Sequence, residues 1–302
     1  MLDLQEISLE KKEEINRYLR RRCSQNSEFT FTNLFMWRKS YDIRYVILDD
    51  MLCIMPRHIG GPRSATFPIG FIKEDGSERN IKPVIETLIE DCKERGFQPL
   101  IRLYDERTMQ KLLDTFPGKF LISEDMNYFD YVYRVEDLIN LSGKKYHAKK
   151  NHVNKFKSLY SWEYQSLSQG DVTECLELFD RWHENKGGEA LGLDEEREAV
   201  QELFWNWSSL DVRGGCIRVD GKMVAFSVGE PLCGKTAVIH LEHADTNYQG
   251  AFAMINQQFL EHEWQDFEYV NREEDMGIPG MRKVKESYRP VFMVKKYIAT
   301  LA

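Results

Sequence analysis

The stretches CIRVDGKMVAFSVGE (residues 216–230) and TAVIHLEHADTNYQGAFAMINQQF (residues 236–259) decide how this chain folds. In the first, two apolar runs flank Asp220-Gly221, a dipeptide suited to a type I′ turn, so the stretch predicts a β-hairpin. In the second, TAVIHLEH predicts a strand, after which the period changes and Phe252, Ile255 and Phe259 recur at helical spacing. Downstream, FEYVNRE predicts another strand, Lys283 to Tyr288 a short helix, and VFMVKKYI a last strand. Upstream, Asp171 with Glu174 opens a helix bearing Val172, Leu176 and Phe179, and Asp194 opens another with Val200, Leu203, Phe204 and Trp207.

The first half repeats this order. Ser8 is placed to cap a helix carrying Ile15 and Leu19, and a short helix follows near Thr32 to Lys39. RYVIL and MLCIM, split by Asp49-Asp50, predict a hairpin. A strand near Ala65 to Ile69, a helix over Ile81 to Arg95, the strand PLIRLY, a helix over Glu106 to Phe116 and the strand YFDYVYRV complete the half. This is not a βαβαβ series. The reading is a duplicated α+β unit, residues 1–134 and 135–302, with mixed, mostly antiparallel sheets flanked by helices and a basic connecting helix over 144–160.

Length and composition agree with that division. The 302 residues suit two domains at about 150 residues each. With 42% hydrophobic and 30% charged residues, the chain is of ordinary globular composition. No apolar run reaches six residues, so no transmembrane segment is expected, and the first residues, MLDLQEISLEKKEE, hold no secretory h-region. A cytoplasmic location is expected. The net charge of −8 argues against broad adsorption to nucleic acid or anionic lipid, although a local basic patch would still serve. The cysteines form no CxxC pair and the histidines no HExxH, so no metal site is expected and the thiols should be reduced and mostly buried.

Three stretches carry candidate chemistry. GKKYHAKKNHVNKFKS holds six lysines between Gly143 and Lys157, while Tyr146, Val153, Phe156 and Tyr160 fall at helical spacing. It reads as an amphipathic helix whose outer face, including Lys144, Lys145, Lys149 and Lys150, is either a solvated surface or a phosphate-contacting one. In TAVIHLEH, strict alternation would place His240 and Glu242 on one face of the strand, as a satisfied polar pair or as a reactive one. The helix beyond starts at Gly250 and Ala251, whose N–H groups can approach an anion; alternatively, Thr246 and Gln249 form a capping box with Gly250 inside the first turn. Finally, EYVNREEDMGIPGMRKVKESYRPVFMV brings Arg282, Lys283, Lys285 and Tyr288 onto a short helix after Asn271.

LSGKKYHAKKNHVNKF and NREEDMGIPGMRKVKESYRP, together with SEFTFTNLFMW, resemble a bacterial family related to the C-terminal catalytic domain of phosphatidylglycerol lysyltransferase. That family is similar in fold to the Fem-type peptidyltransferases, with two GNAT-like acyltransferase domains in one chain. The resemblance implies a tandem GNAT-like fold and a functional surface over Asn271 to Pro290. It also implies an aminoacyl or acyl transferase whose favoured donor is aminoacyl-tRNA and whose acceptor is an amine or hydroxyl of a small molecule, peptide or lipid. The absence of a membrane-spanning stretch makes a lipid acceptor the less expected of these.

Such a reaction needs a deprotonated nucleophile, a stabilised oxyanion and a held polyanionic donor. His240 or Glu242 is the candidate base and Tyr288 the candidate leaving-group acid. Asn271, Gly250 and Ala251 line the expected site. Lys144, Lys145, Lys149, Lys150, Arg282, Lys283 and Lys285 are the candidate phosphate contacts. No cofactor is required on this reading. The alternatives are a CoA-dependent N-acetyltransferase, with acetyl-CoA held at Gly250, and a binding module that kept the fold without the chemistry.

Overall fold

The computed structural model describes all residues except 22, 58–62, 125 and 186–192. In chain order the elements are β1 (Gln5–Glu6), α1 (Lys12–Arg20), α2 (Phe31–Trp37), β2 (Arg44–Leu48), β3 (Met51–Met55), β4 (Ala65–Thr66), α3 (Lys82–Glu94), β5 (Leu100–Leu103), α4 (Glu106–Thr115) and β6 (Phe120–Glu124). There follow β7 (Asp130–Arg134), α5 (Val135–Asn140), α6 (His147–Leu159), β8 (Trp162–Ser166), α7 (Val172–Asn185), α8 (Leu193–Trp205), β9 (Arg213–Val219), β10 (Lys222–Cys233), β11 (Thr236–Ala244), α9 (Ala251–Glu263), β12 (Tyr269–Asn271), α10 (Pro279–Ser287), β13 (Phe292–Val294) and β14 (Tyr297–Leu301).

These elements form two compact units, Met1–Phe129 with Val294–Ala302, and Asp130–Met293. The second is built on a seven-stranded sheet in the order β13-β7-β12-β11-β10-β9-β8. The first holds a three-stranded sheet, β1-β2-β3, and a four-stranded one, β4-β5-β14-β6. Matched strand for strand, the two series have the same order, with β14 in the first standing where β7 stands in the second. The fold is α+β, and each unit has one parallel pair, β4 with β5 and β11 with β12. The Asp220-Gly221 turn is as expected, both residues having positive φ.

The units do not divide where the sequence suggested, after residue 134. β7 lies between β12 and β13 in the second unit's sheet, and β14 lies between β5 and β6 in the first. Each half of the chain therefore supplies one strand to the sheet built mainly by the other. VFMVKKYI is accordingly not one strand, because the chain breaks at Lys295-Lys296 and its two pieces enter different sheets. Interior positions satisfy the strands' main-chain groups on both sides, which an edge leaves unpaired.

In the second unit α9 packs on the sheet, its Met254, Ile255 and Phe259 meeting Ala237, Ile239 and Val270 in one buried cluster. Burying each large side chain contributes about 1.5–3 kcal/mol. Cys53, Cys92, Cys175 and Cys216 are buried free thiols. Burial pushes Cys216 up to about 11, which makes it a poor nucleophile. No helix among the described residues is long and apolar enough to cross a membrane.

Candidate functional site

β11 and β12 run parallel for only three residue pairs, ending at Val238 opposite Asn271. β11 continues to Ala244, so a notch opens between the strands, and the residues that follow β12 fill it. The β10–β11 register also slips here: Val228 opposes Leu241 whereas Gly229 opposes Ile239, which leaves His240 as the extra residue of a β-bulge. A bulge reverses the alternation. Glu242, opposite Ser227, is therefore in phase with Ile239, opposite Gly229, while His240 falls out of phase with both. This corrects the expectation that His240 and Glu242 share a face.

The two side chains have separate partners. His240 is sealed, its side chain 1% exposed, with Nε2 at 2.9 Å from Glu230 and Nδ1 at 2.9 Å from Glu273. Burial opposes the charged ring, but the bonds to Glu230 and Glu273 outweigh it and raise its pKa to about 9. Protonated and bonded at both nitrogens, this imidazole has no lone pair with which to accept a proton. Glu242 instead accepts from Arg272 Nη2 at 2.7 Å and from Asn256 Nδ2 at 2.8 Å.

Arg272 is the centre of the site; it lies within the Asn271 to Pro290 surface that the resemblance implies, but it is not singled out there as a site residue. Its side chain is 9% exposed and lies over the Tyr288 ring at 4.6 Å and near the Tyr133 ring at 5.6 Å. Its Nη1 is buried without a hydrogen-bond partner among the described residues. Such an orphaned charged donor is uncommon and costly unless something binds it. Lys149 of α6 reaches the same place, its Nζ 3.9 Å from the Tyr288 ring centroid. Burial, helped by the Arg272 charge and opposed by Glu242, lowers its pKa to about 8. Tyr288 itself is buried, which raises its pKa. Arg272 and Lys149 thus gather over the Tyr288 ring, with Glu242 the carboxylate that holds Arg272.

The remaining expected residues divide by position. Asn271 is fully buried, donating to Asp130 at 2.9 Å and accepting from Glu273 N at 2.7 Å, so its amide is used inside the fold. Arg282 makes a two-pronged pair with the buried Asp275, at 2.7 and 2.9 Å, and Tyr131 donates to the same carboxylate. Lys285 donates to the carbonyls of Arg272 and Glu274, and burial lowers its pKa to about 8. It braces the segment that carries Arg272. Lys145 pairs with Asp137 at 3.1 Å, whereas Lys144, Lys150 and Lys283 are exposed. Of the lysine-rich stretch, therefore, Lys149 alone joins the cluster.

Gly250 is the N-cap of α9 rather than part of its first turn, and Ala251 opens the helix. The glycine has its own reason: φ is +93°, and a Cβ there would meet the His152 carbonyl oxygen at 2.4 Å. A carbonyl from α6 thus packs against the glycine, and Ala251 N donates to the Tyr248 carbonyl at 3.1 Å. Among the described residues no cluster of metal-ligating side chains is found.

The family description "Phosphatidylglycerol lysyltransferase, C-terminal" matches residues 20–300. The chain belongs to this family. The structure of L-PGS from Bacillus licheniformis is similar over 99% of this chain and 94% of that one, with TM-score 0.68 and 15% identity. A conserved protein of unknown function from Bacteroides thetaiotaomicron VPI-5482 is 34% identical, with both chains covered in full and TM-score 0.91. FemX is similar in fold over 100% of this chain and 98% of its own, with TM-score 0.65 and 7% identity, and a tandem GNAT protein shares the fold at TM-score 0.54. An uncharacterised protein of Mycoplasmoides gallisepticum is 21% identical over 178 residues, 56% of this chain and 55% of that protein, so the match spans about half of the curated relative.

Proposed function

We propose that this protein transfers an aminoacyl group from aminoacyl-tRNA to an amine or hydroxyl acceptor, at the cluster of Arg272, Tyr288 and Lys149. Membership of the lysyltransferase C-terminal family supports the reaction class. The observation that carries the site is the buried Arg272 Nη1 with no partner among the described residues, over the buried Tyr288 ring that is shared with a lysine whose pKa is lowered to about 8.

The chemistry follows from those groups. When the acceptor attacks the ester carbonyl, negative charge develops on the carbonyl oxygen, and a preorganised cation with a spare N–H stabilises it. Arg272 is that group, oriented by Glu242. The acceptor's proton passes to Lys149, whose neutral form is well populated near pH 8. Tyr288, neutral because burial raises its pKa, donates its hydroxyl proton to the departing ribose oxygen as the C–O bond breaks, and recovers one from Lys149. Glu242 thereby becomes a positioning residue, and His240 a clamp that fixes Glu230 and Glu273. The exposed Lys144, Lys150 and Lys283 are the phosphate contacts.

Thermal shift separates this reading from its rivals, since a ligand that binds only the native state raises its melting temperature. Charged tRNA raises Tm on the proposed reading and acetyl-CoA does not. A shift with acetyl-CoA alone supports the N-acetyltransferase, and a shift with neither contradicts both.

A further inference from the structure

The first unit holds a cavity of about 250 Å³ of its own. Its parallel strands, β4 and β5, pair for only two residues, Ala65 with Ile101 and Thr66 with Arg102. Thr66 and Arg102 both line the cavity, and so does Tyr104, which directly follows β5. In the second unit the notch stands at the corresponding parallel pair, β11 with β12, and the residues after β12 fill it. The repeated fold thus opens at the same place twice, around Arg272 in one unit and as this cavity in the other.

The polar groups that line the cavity are already engaged. Ser64 Oγ accepts from Arg102 Nε at 2.9 Å, Thr66 Oγ1 from Ile54 N at 2.9 Å and Asn26 Oδ1 from Glu28 N at 2.9 Å. Lys296 pairs with Glu28 at 3.1 Å. What the space presents to a ligand is chiefly its aromatic and aliphatic wall. Phe29 and Tyr104 meet edge to face at 4.6 Å, Leu103 and Tyr297 are also buried, and Tyr128, 37% exposed, is the most open of the lining aromatics. Protein interiors leave few voids larger than a water molecule, because wall atoms without neighbours forfeit dispersion contacts. An apolar ring restores those contacts, and aromatic walls receive it edge to face.

We propose that this cavity is a small-molecule site separate from the transfer cluster, and that its ligand is an uncharged aromatic molecule of one or two rings. A dry cavity of about 150 Å³ takes benzene, so one of about 250 Å³ has room for a fused pair of rings such as indole. A charged substituent would lose its hydration inside and meet polar groups already bonded to others, which sets the preference for a neutral ligand.

Ligand-observed NMR on the full chain tests it, with indole, indole-3-acetate and tryptamine as probes. Indole should bind, and each charged probe should bind at least about tenfold more weakly, the cost of burying a charge. Ile298 lines the cavity from β14 and is partly exposed, so Ile298→Trp should fill the space with the protein's own indole and abolish binding without lowering Tm. Tyr128→Ala should weaken binding, and Tyr288→Phe, in the other unit, should leave it unchanged. The proposal is overturned if indole does not bind, if either charged probe binds as tightly as indole, if a folded Ile298→Trp or Tyr128→Ala protein binds indole like the wild type, or if Tyr288→Phe abolishes binding.

Discussion

Lys149 Nζ lies 3.9 Å from the centroid of the Tyr288 ring, although the two residues are far apart in sequence and belong to different helical segments. The contact is a cation–π pair next to a second cation, Arg272, over the same ring at 4.6 Å. Two cations on one tyrosine repel each other. Glu242 offsets part of that repulsion, and an anion brought by a ligand would offset the rest.

Lys149→Met is therefore expected to lower transfer sharply without lowering stability at pH 7. Burial and the neighbouring Arg272 bring the Lys149 pKa from 10.5 to about 8. The unfolded chain thus binds more protons between those values, and wild-type stability rises with pH across that window. The Tm of Lys149→Met relative to wild type should be highest below pH 8 and fall as pH approaches 10.5, read by thermal melts across pH. A constant difference across the window would show that Lys149 carries no such penalty.

His240 gives the opposite sign. Its pKa is raised from 6.5 to about 9 against the effect of burial, by the bonds to Glu230 and Glu273. The stability it contributes is fully present below pH 6.5 and is lost as pH rises through about 9. Wild type should exceed His240→Gln most at pH 6 and least above pH 9. Equal melting temperatures at pH 6 would contradict the clamp.

Glu242→Gln removes the charge that balances buried Arg272, and breaking a buried pair from one side typically costs about 3–5 kcal/mol. Since glutamine still accepts a hydrogen bond, the loss should sit at or below the lower end of that range. Replacing both members, Glu242→Gln with Arg272→Met, should destabilise less than the sum of the single changes, which a double-mutant cycle measures. Additive effects would mean that the pair is not coupled.

The exposed lysines predict a salt-dependent donor interaction. Affinity for tRNA should fall with salt at a log–log slope of about −0.7 to −0.9 per phosphate contacted, and Lys144→Glu with Lys150→Glu should flatten it. An unchanged slope would leave these lysines as a solvated face.

What the sequence made legible was local. The Asp220-Gly221 turn and α9 were readable because turn chemistry and helical spacing are written within a few residues. The destinations of β7 and β14 were not, because which sheet a strand enters depends on partners far along the chain. The site failed at one residue: alternation through His240 and Glu242 holds only without a bulge. The available signal was Gly229, a lone glycine in a strand, which often marks a bulge or a close backbone approach. A Cβ at Gly229 would lie 2.3 Å from the Val238 carbonyl oxygen. Tyr288 and Lys149 were named from sequence, but Arg272 was not, since its importance comes from burial and an Nη1 without a partner among the described residues, which only the fold creates.

The most direct test of the account is a single-turnover assay in which tRNA charged with labelled amino acids is mixed with the protein and cell extract, and label leaving the tRNA for a stable product is followed. Wild type should transfer label, and Tyr288→Phe, folded and still binding charged tRNA, should do so about 10²- to 10⁴-fold more slowly, the usual contribution of a positioned acid or base. Transfer at the wild-type rate by Tyr288→Phe, or no transfer by wild type from any charged tRNA, would contradict it.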